Sequence, residues 1–278
     1  KQSGELKWNF QFGEAMYGSG IAIDKAGNIY FGTDSGKLIV VSAEGEKLWE
    51  KALDGMFRWS TPAIGDDGTI YVMIYGRDAS TMAQVAAFTP DGILKWSVVL
   101  NHRASFAAPS IGDDGNIYVT DMRGGVYCIA PNGNKVWSTF VEPLHSGVAL
   151  AKDGSIYIGG RTSIVALLPN GETKWNYPLD AITVAAPVVD CRGNVYIGTL
   201  GGKLHSFSSD GVLRWEFAAR KEFNASPTIG SDGTLYTGSL DGYMYAIKYL
   251  SLPDEPPILK GGLIVGGPNP FTEGDTIR

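Results

Sequence analysis

Residues 107–137 read AAPSIGDDGNIYVTDMRGGVYCIAPNGNKVW. Short β-branched or aromatic runs alternate in this unit with Asp-Gly, Gly-Gly and Asn-Gly pairs. We divide it into four predicted strands, with A near 110–111, B at 117–119, C at 126–129 and D carrying Trp137. Asp-Gly and Asn-Gly between such runs are strong hairpin signals, because these tight turns need positive φ. The unit therefore predicts four antiparallel strands joined by hairpins.

The same unit recurs about every 40 residues. One marker is a tryptophan shortly after a Gly, with spacings of 41, 47, 41, 38 and 40: Trp8, Trp49, Trp96, Trp137, Trp175 and Trp215. The other is a tyrosine in segment B, with spacings of 41, 47, 39, 39 and 40: Tyr30, Tyr71, Tyr118, Tyr157, Tyr196 and Tyr236. A four-stranded antiparallel unit with this period is typical of a β-propeller blade. We therefore predict an all-β propeller.

The number of blades follows from the order of the segments. Six A–B–C triplets are present, but the first D segment, at 6–8, precedes them all, and the last triplet, ending at Lys248, has no D segment after it. In this interpretation the N-terminal strand closes the last blade, which leaves no unpaired strand edge. We predict six blades, and a fragment of a seven- or eight-bladed ring is the alternative.

The composition agrees with this fold and excludes several classes of protein. Glycine accounts for 37 of 278 residues, and the chain has 7 Trp, 13 Tyr and 11 Phe. A formal net charge of −6 argues against nucleic-acid binding, which needs a basic surface. No apolar run is long enough for a transmembrane helix. We expect a monomeric module of a longer protein.

The repeat resembles the PQQ-like, or quinoprotein, β-propeller repeat. The clearest copies are SPTIGSDG at 226–233 and GYMYAI at 242–247, and the resemblance covers 4–250. It implies that the six tryptophans pack between neighbouring blades. The family includes quinone-dependent alcohol and glucose dehydrogenases, and also non-catalytic scaffolds such as the lipoprotein propeller of the outer-membrane barrel-assembly machine. A shared fold does not choose between these functions.

Several parts of a quinone-dependent enzyme are absent from the sequence. The alcohol dehydrogenases of the family carry a vicinal Cys-Cys disulfide beside the quinone and a calcium ion held by Glu and Asn with a catalytic Asp. This chain has two separate cysteines, Cys128 and Cys191, and its only histidine-base candidates are His102, His145 and His205. We predict no cofactor and no catalytic residue, and we keep a PQQ-dependent oxidoreductase with calcium as the alternative.

The A–B turns form one side of the predicted propeller, which we call the turn face. They carry eight aspartates: Asp24, Asp66, Asp67, Asp113, Asp114, Asp153, Asp190 and Asp232. Calcium requires six to eight oxygens that converge on one point, whereas these carboxylates recur from blade to blade. Hairpin chemistry explains them, and we predict no metal site.

The B–C turns and D–A connections form the opposite side, which we call the connection face. Variable loops on a rigid scaffold commonly carry binding residues, and aromatic rings beside arginines suit a sugar, a carboxylated ligand or a peptide. The candidate partner residues are Tyr17, Arg58, Trp59, Arg103, Phe106, Arg123, His145, Arg161, Arg220 and Phe223. The alternative is that the aromatic side chains cover the core and the charges are ordinary solvated surface.

The repeat stops after residue 250. PDEPP at 253–257 predicts a linker. PNPF at 268–271 and TIR at 276–278 resemble the opening of the C-terminal domain of type IX secretion substrates and FlgD-like modules, and an arbitrary Pro/Gly-rich tail is the alternative. We predict a propeller at 1–250, followed at 251–278 by a linker and the start of a truncated sorting-type domain.

These features predict a non-catalytic binding or scaffolding propeller that presents its connection face to a protein or glycan. We expect it outside the cytoplasm, secreted or on the cell surface of a bacterium, with the periplasm as the alternative location. A repeat domain that spaces other modules in a longer surface protein is a third interpretation.

Overall fold

The structure, a computed structural model, describes residues 4–16, 18–57, 60–77, 81–105, 107–142, 144–248 and 264–266, with the backbone alone at 144, 145 and 264–266. The regular secondary structure in these ranges is β-strand. The chain divides into two compact units, at 1–136 and 137–278. In the described part of the chain, no helix is long and apolar enough to cross a membrane.

The strands are short and evenly spaced. The first twelve are β1 Ala22–Ile23, β2 Ile29–Gly32, β3 Lys37–Val41, β4 Lys47–Ala52, β5 Ala63–Ile64, β6 Ile70–Ile74, β7 Gln84–Phe88, β8 Leu94–Val99, β9 Ser110–Ile111, β10 Ile117–Thr120, β11 Gly125–Ile129 and β12 Lys135–Phe140. The others are β13 Leu144–Leu150, β14 Ile156–Gly160, β15 Ser163–Leu167, β16 Thr173–Pro178, β17 Val188–Val189, β18 Val195–Gly198, β19 Lys203–Phe207, β20 Leu213–Ala218, β21 Thr228–Ile229, β22 Leu235–Gly238, β23 Met244–Ile247 and β24 Ile264–Gly266.

Consecutive strands build six four-stranded sheets, β1–β4, β5–β8, β9–β12, β13–β16, β17–β20 and β21–β24. The third sheet matches the predicted A, B, C and D segments in order. The glycines of its Asp-Gly and Asn-Gly turns have the positive φ that these hairpins need, 76° at Gly115 and 88° at Gly133. These observations confirm the predicted hairpin order.

Burial distinguishes the inner strands from the outer strand. β6 and β11 are buried along their whole length, whereas β8 and β12 alternate between half-buried and exposed residues. A strand packed on both faces can be apolar throughout, whereas an outer strand keeps the period-two alternation. The core therefore lies on the B and C strands.

Five of the six tryptophans contact the C–D turn of the following sheet through one repeated hydrogen bond. The indole Nε1–H of Trp175 donates to the carbonyl oxygen of Ser209 at 2.9 Å. The same bond joins Trp8 to Ala43, Trp49 to Pro90, Trp96 to Pro131 and Trp137 to Pro169, at 2.8–2.9 Å. A Cβ on Gly211, whose φ is +82°, would lie 2.7 Å from the Trp175 ring, so this turn needs glycine. These five tryptophans make the contact with the following sheet that a docking role requires.

The sixth tryptophan, Trp215, is buried, and its ring centroid lies 5.8 Å from that of Tyr196. Its Nε1–H has no hydrogen-bond partner within the described residues. Residues 249–263, which follow β23 in sequence, lie outside those residues. The structure therefore shows the burial expected of a docking tryptophan here, but no acceptor.

The structure differs from the predicted closure of the last blade. Residues 6–8 form no strand, and β24 holds the fourth place in the last sheet, with Val265 opposite Tyr245. The edge of β23 needs partners for its backbone N–H and C=O groups, and a β-branched Ile-Val pair supplies them here. Apart from 264–266, the predicted linker and sorting-type segment lie outside the described residues.

Trp175→Ala is expected to lower the free energy of unfolding by about 3–5 kcal/mol. It removes the ring contacts with Tyr157 and Phe207 as well as the hydrogen bond to Ser209. Urea denaturation followed by circular dichroism measures the loss. Thr173→Ala, exposed on the same strand, is the control and should change stability by less than about 0.5 kcal/mol. Equal losses in the two variants would contradict the docking role.

Candidate functional site

Six of the eight turn-face aspartates accept hydrogen bonds within their own turns. Asp190 Oδ1 accepts hydrogen bonds from the backbone N–H groups of Arg192 and Asn194 at 2.9 and 2.8 Å, and Oδ2 accepts one from the Tyr196 hydroxyl at 3.0 Å. Burial raises the pKa of Asp190, but these hydrogen bonds outweigh it and hold the pKa below its ordinary value. Equivalent bonds to turn N–H groups are made by Asp24, Asp67, Asp114, Asp153 and Asp232. These aspartates stabilise hairpins.

The residues do not fit the calcium and disulfide arrangement of the quinone-dependent dehydrogenases. Within the described ranges, no group of three or more His, Cys, Asp or Glu side chains is placed to hold a metal ion. Cys128 is buried in β11 and Cys191 is exposed in a turn, and both are free thiols. Burial raises the pKa of the Cys128 thiol to about 11, which makes it a poor nucleophile at neutral pH.

On the connection face, backbone hydrogen bonds hold the D–A connection against the next B–C turn in several sheets. The Met122 N–H donates to the Arg103 carbonyl oxygen at 2.9 Å, and Ala104 forms a β-bridge with Asp121. Equivalent bonds run from Asp34 to Ala15, from Leu200 to Ile182 and from Leu240 to Glu222. The connections are therefore anchored segments of the blades to which they belong.

This anchoring places two predicted arginines, Arg103 and Arg123, on neighbouring segments of the third sheet. Both are exposed, and neither guanidinium makes a hydrogen bond or ion pair with any described residue. Asp121, two residues before Arg123, is fully buried, and its Oδ2 accepts a hydrogen bond from the Tyr127 hydroxyl at 2.6 Å. The two positive charges are therefore open to solvent.

The other predicted partner residues are placed separately. Arg161 is exposed beside the β14–β15 turn, and Arg220 is exposed after β20, with its N–H bonded to Asp241 Oδ2 at 3.2 Å. The remaining candidates other than Phe223 are Tyr17, Arg58, Trp59 and Phe106, which lie outside the described residues, and His145, for which the backbone alone is described.

The prediction that Phe223 is an exposed partner residue is wrong. Its side chain is fully buried, and its ring centroid lies 6.5 Å from that of Phe217 and 5.9 Å from that of Tyr245. A Cβ on Gly198 would lie 2.6 Å from the Phe223 Cβ, so this glycine makes room for the ring. At this position the aromatic side chain covers the core, which was the alternative interpretation.

An arrangement that sequence reasoning missed lies at the start of β19. The Lys203 Nζ lies 3.9 Å from Asp180 Oδ2 and 3.5 Å from Glu216 Oε2. The first sheet repeats it at the start of β3, where the Lys37 Nζ lies 2.6 Å from Glu14 Oε1 and 3.9 Å from Glu50 Oε1. A lysine that bridges two carboxylates therefore recurs at the same register position in the first and fifth sheets.

His205 lies between the two carboxylates of the fifth sheet. Its side chain is 2 % exposed, and its Nε2 is 3.1 Å from Asp180 Oδ1. Its Nδ1 lies 3.0 Å from Glu216 Oε1 but makes no hydrogen bond among the described residues. No described hydroxyl or thiol bonds to either ring nitrogen. The alternation of Lys203, His205 and Phe207 along β19 was the available sequence signal, because such residues share a face.

In the fourth sheet the equivalent place is an open groove of about 570 Å³. Ser163 pairs with Pro178 there, as Lys203 pairs with Ala218 in the fifth sheet. Val165 holds the place of His205. The groove is lined by Phe140, Val141, Glu142, Thr162, Ser163, Val165, Thr173, Asn176 and Pro178. Small residues therefore leave space where the fifth sheet has a lysine and a histidine.

The pKa of His205 is expected to lie below its ordinary value of 6.5, because burial disfavours the imidazolium while Asp180 opposes this effect. The histidine then contributes stability above pH 6.5 that is lost as the pH falls through its folded pKa. Asp180→Asn should lower the pKa further, and Lys203→Met should raise it, because a positive neighbour disfavours the imidazolium. Titration of the imidazole Cε1–H by NMR measures all three values. Shifts of the opposite sign would contradict this assignment.

The comparisons with known proteins agree with this architecture. The profile of the family described as outer membrane protein assembly factor BamB matches residues 1–120 and 122–192. Among solved structures, the chain is similar to BamB from Moraxella catarrhalis, with a TM-score of 0.55 and 17 % identity over 81 % of this chain and 83 % of that chain. No curated protein matches the chain.

At 17 % identity the structural likeness shows the fold alone, and together with the six four-stranded sheets it confirms the predicted β-propeller. The family profile covers well over half of the sequence, beginning at residue 1. The chain therefore belongs to the PQQ-like propeller family of the outer membrane protein assembly factor BamB.

Proposed function

We propose that this protein is a non-catalytic, protein-binding propeller of the bacterial cell envelope. The family description names an assembly factor of outer membrane proteins, which supports a scaffolding role outside the cytoplasm. The observation that carries the choice of surface is the pair Arg103 and Arg123 on the connection face, both exposed and without an ion pair among the described residues.

An acidic protein segment is the partner that suits these two arginines. A guanidinium forms paired hydrogen bonds with a carboxylate, and two of them on neighbouring segments recognise two acidic groups. The backbone bond between Met122 and Arg103 anchors the surface before binding, which lowers the entropy cost of association. A glycan would need an exposed aromatic face beside the arginines, and Phe223, the aromatic candidate of this face whose side chain the structure describes, is buried.

Photo-crosslinking in cells that produce the protein tests this surface. A photoreactive amino acid at position 102, which is exposed beside Arg103 and leaves both arginines intact, should form an adduct with one envelope protein. The double change Arg103→Glu and Arg123→Glu should reduce that adduct at least fivefold. The same photoreactive group at position 113, exposed on the turn face of the same sheet, is the control.

The proposal fails if positions 102 and 113 give the same adducts, or if the charge reversal leaves the adduct unchanged. Cell fractionation locates the protein in the same experiment, and recovery from the cytoplasm alone would contradict an envelope role. A glycan array probed with the purified chain distinguishes a glycan partner from a protein partner. Glycan binding that depends on both arginines would favour a glycan.

We also propose that the chain needs no quinone. Pyrroloquinoline quinone with calcium chloride is titrated calorimetrically to several hundred micromolar and should give no saturable heat. The two cysteines lie in different elements, and six of the eight turn aspartates are bound within their own turns. An apo quinone-dependent dehydrogenase is the positive control. Stoichiometric binding with a Kd below about 1 μM would favour the oxidoreductase alternative and return attention to His102 and His145.

A further inference from the structure

We propose that the groove of the fourth sheet receives a lysine or arginine side chain of a protein partner, with Glu142 as its counter-ion. This inference rests on the protein-binding function proposed above, because the cation belongs to the partner. It concerns a second surface, in the unit at 137–278, that none of the predicted partner residues lines.

Glu142 is held in place with one oxygen left free. Its Oε1 accepts hydrogen bonds from the Thr162 N–H at 3.1 Å and from the Ser163 hydroxyl. A Cβ on Gly160 would lie 2.1 Å from Oε1, so the carboxylate packs directly on the glycine backbone. Oε2 has no hydrogen-bond or ion-pair partner among the described residues. The side chain is therefore oriented before any ligand arrives.

The equivalent carboxylate in the fifth sheet is neutralised by the protein itself. Glu142 and Asp180 each lie five residues after the docking tryptophan of the preceding sheet. Asp180 faces the Nζ of Lys203, at the first position of β19, whereas the first position of β15 is Ser163. No lysine or arginine forms an ion pair with Glu142 within the described part of the chain. The lysine that lies next to this carboxylate in the first and fifth sheets has no counterpart among the described residues here.

The first sheet shows the same pairing in closer contact. The Lys37 Nζ lies 2.6 Å from Glu14 Oε1, and this contact together with hydrogen bonds from the side chains of Ser35 and Thr33 lowers the pKa of Glu14 to about 2. The place next to this carboxylate is therefore suited to an ammonium group in two sheets of the same protein. We therefore expect the ligand of the groove to carry an ammonium or similar cationic group, as Lys37 and Lys203 do.

The walls of the groove can contact the aliphatic stem of a lysine or arginine side chain. Phe140, 67 % exposed, offers a ring face on which a cation or an alkyl stem can pack, and Val165 and Pro178 supply further apolar surface. Asn176 holds the register position of Glu216 and offers a neutral amide oxygen. One carboxylate, one amide and apolar walls favour an ammonium or guanidinium on an aliphatic stem over an anion.

Titration with n-butylammonium chloride tests this groove without any partner, because this molecule reproduces the lysine stem and ammonium group. Amide NMR spectra of the labelled protein should show saturable shifts at 140–142 and 162–163, with a Kd in the millimolar range. The uncharged analogue 1-pentanol should bind at least fivefold more weakly. Unchanged spectra up to 200 mM n-butylammonium would overturn the proposal.

Two variants examine the chemistry of the same groove. Glu142→Gln should weaken n-butylammonium binding at least fivefold, because it removes the counter-ion. Ser163→Lys should abolish binding, because it places the protein's own ammonium where Lys203 lies in the fifth sheet. Glu172→Gln, the same charge change at an exposed turn residue, is the matched control and should bind like the unmodified protein.

The amide spectra also report whether each variant is folded, so a lost site is distinguished from an unfolded chain. Equal binding by Glu142→Gln and Glu172→Gln would overturn the proposal. The titration does not depend on the cross-linking at position 102. If n-butylammonium does not bind but the cross-linked adduct still forms, this inference alone is refuted. If n-butylammonium binds saturably but no adduct forms, the groove remains as the binding site and the proposed arginine surface is refuted.

Discussion

The docking of tryptophans such as Trp175 on the C–D turn of the next sheet is the interaction on which the other contacts depend. A single four-stranded sheet cannot bury both faces of its inner strands, so each blade needs its neighbours. The indole supplies a large apolar surface, and its Nε1–H requires one particular carbonyl oxygen as acceptor, as in the Trp175–Ser209 bond. Because the ring also lies against a turn glycine such as Gly211, the docking permits one register. Neighbouring sheets are thereby held in a repeatable relation.

Because successive sheets pack on one another in the same way, each sheet has structurally equivalent residue positions. The side chains at those positions differ from sheet to sheet. The third residue of the C strand is His205 in the fifth sheet and Val165 in the fourth, and the C strand pairs with the D strand in the same register in both sheets. The backbone geometry is thus constant, and charge and volume vary from sheet to sheet. In a propeller built this way, candidate sites are the places that depart from the repeat, such as the groove beside Glu142.

Much of the architecture could be predicted from the sequence. The hairpin turns, the order of the four strands and the docking tryptophans follow from signals within about 40 residues, and the exposure of Arg103 and Arg123 follows from their position in turns. The sequence does not predict whether an aromatic side chain in such a connection points to solvent or into the core. Phe223 lies in a connection whose sequence reads as a surface loop, yet its ring enters the core because Gly198 leaves room for it. That room is a property of two segments that are distant in sequence.

The repeat period of about 40 residues, the Asp-Gly and Asn-Gly turns and the alternation of apolar and polar residues are local properties of the chain. The sequence by itself therefore determined the all-β fold, the repeat and the tryptophan positions. Contacts between successive sheets are not local, because they depend on how closely two backbones approach. For that reason the tertiary structure alone decided that β24 completes the last sheet and that Lys203 neutralises Asp180. It alone decided, too, that Glu142 faces an open groove with one oxygen free.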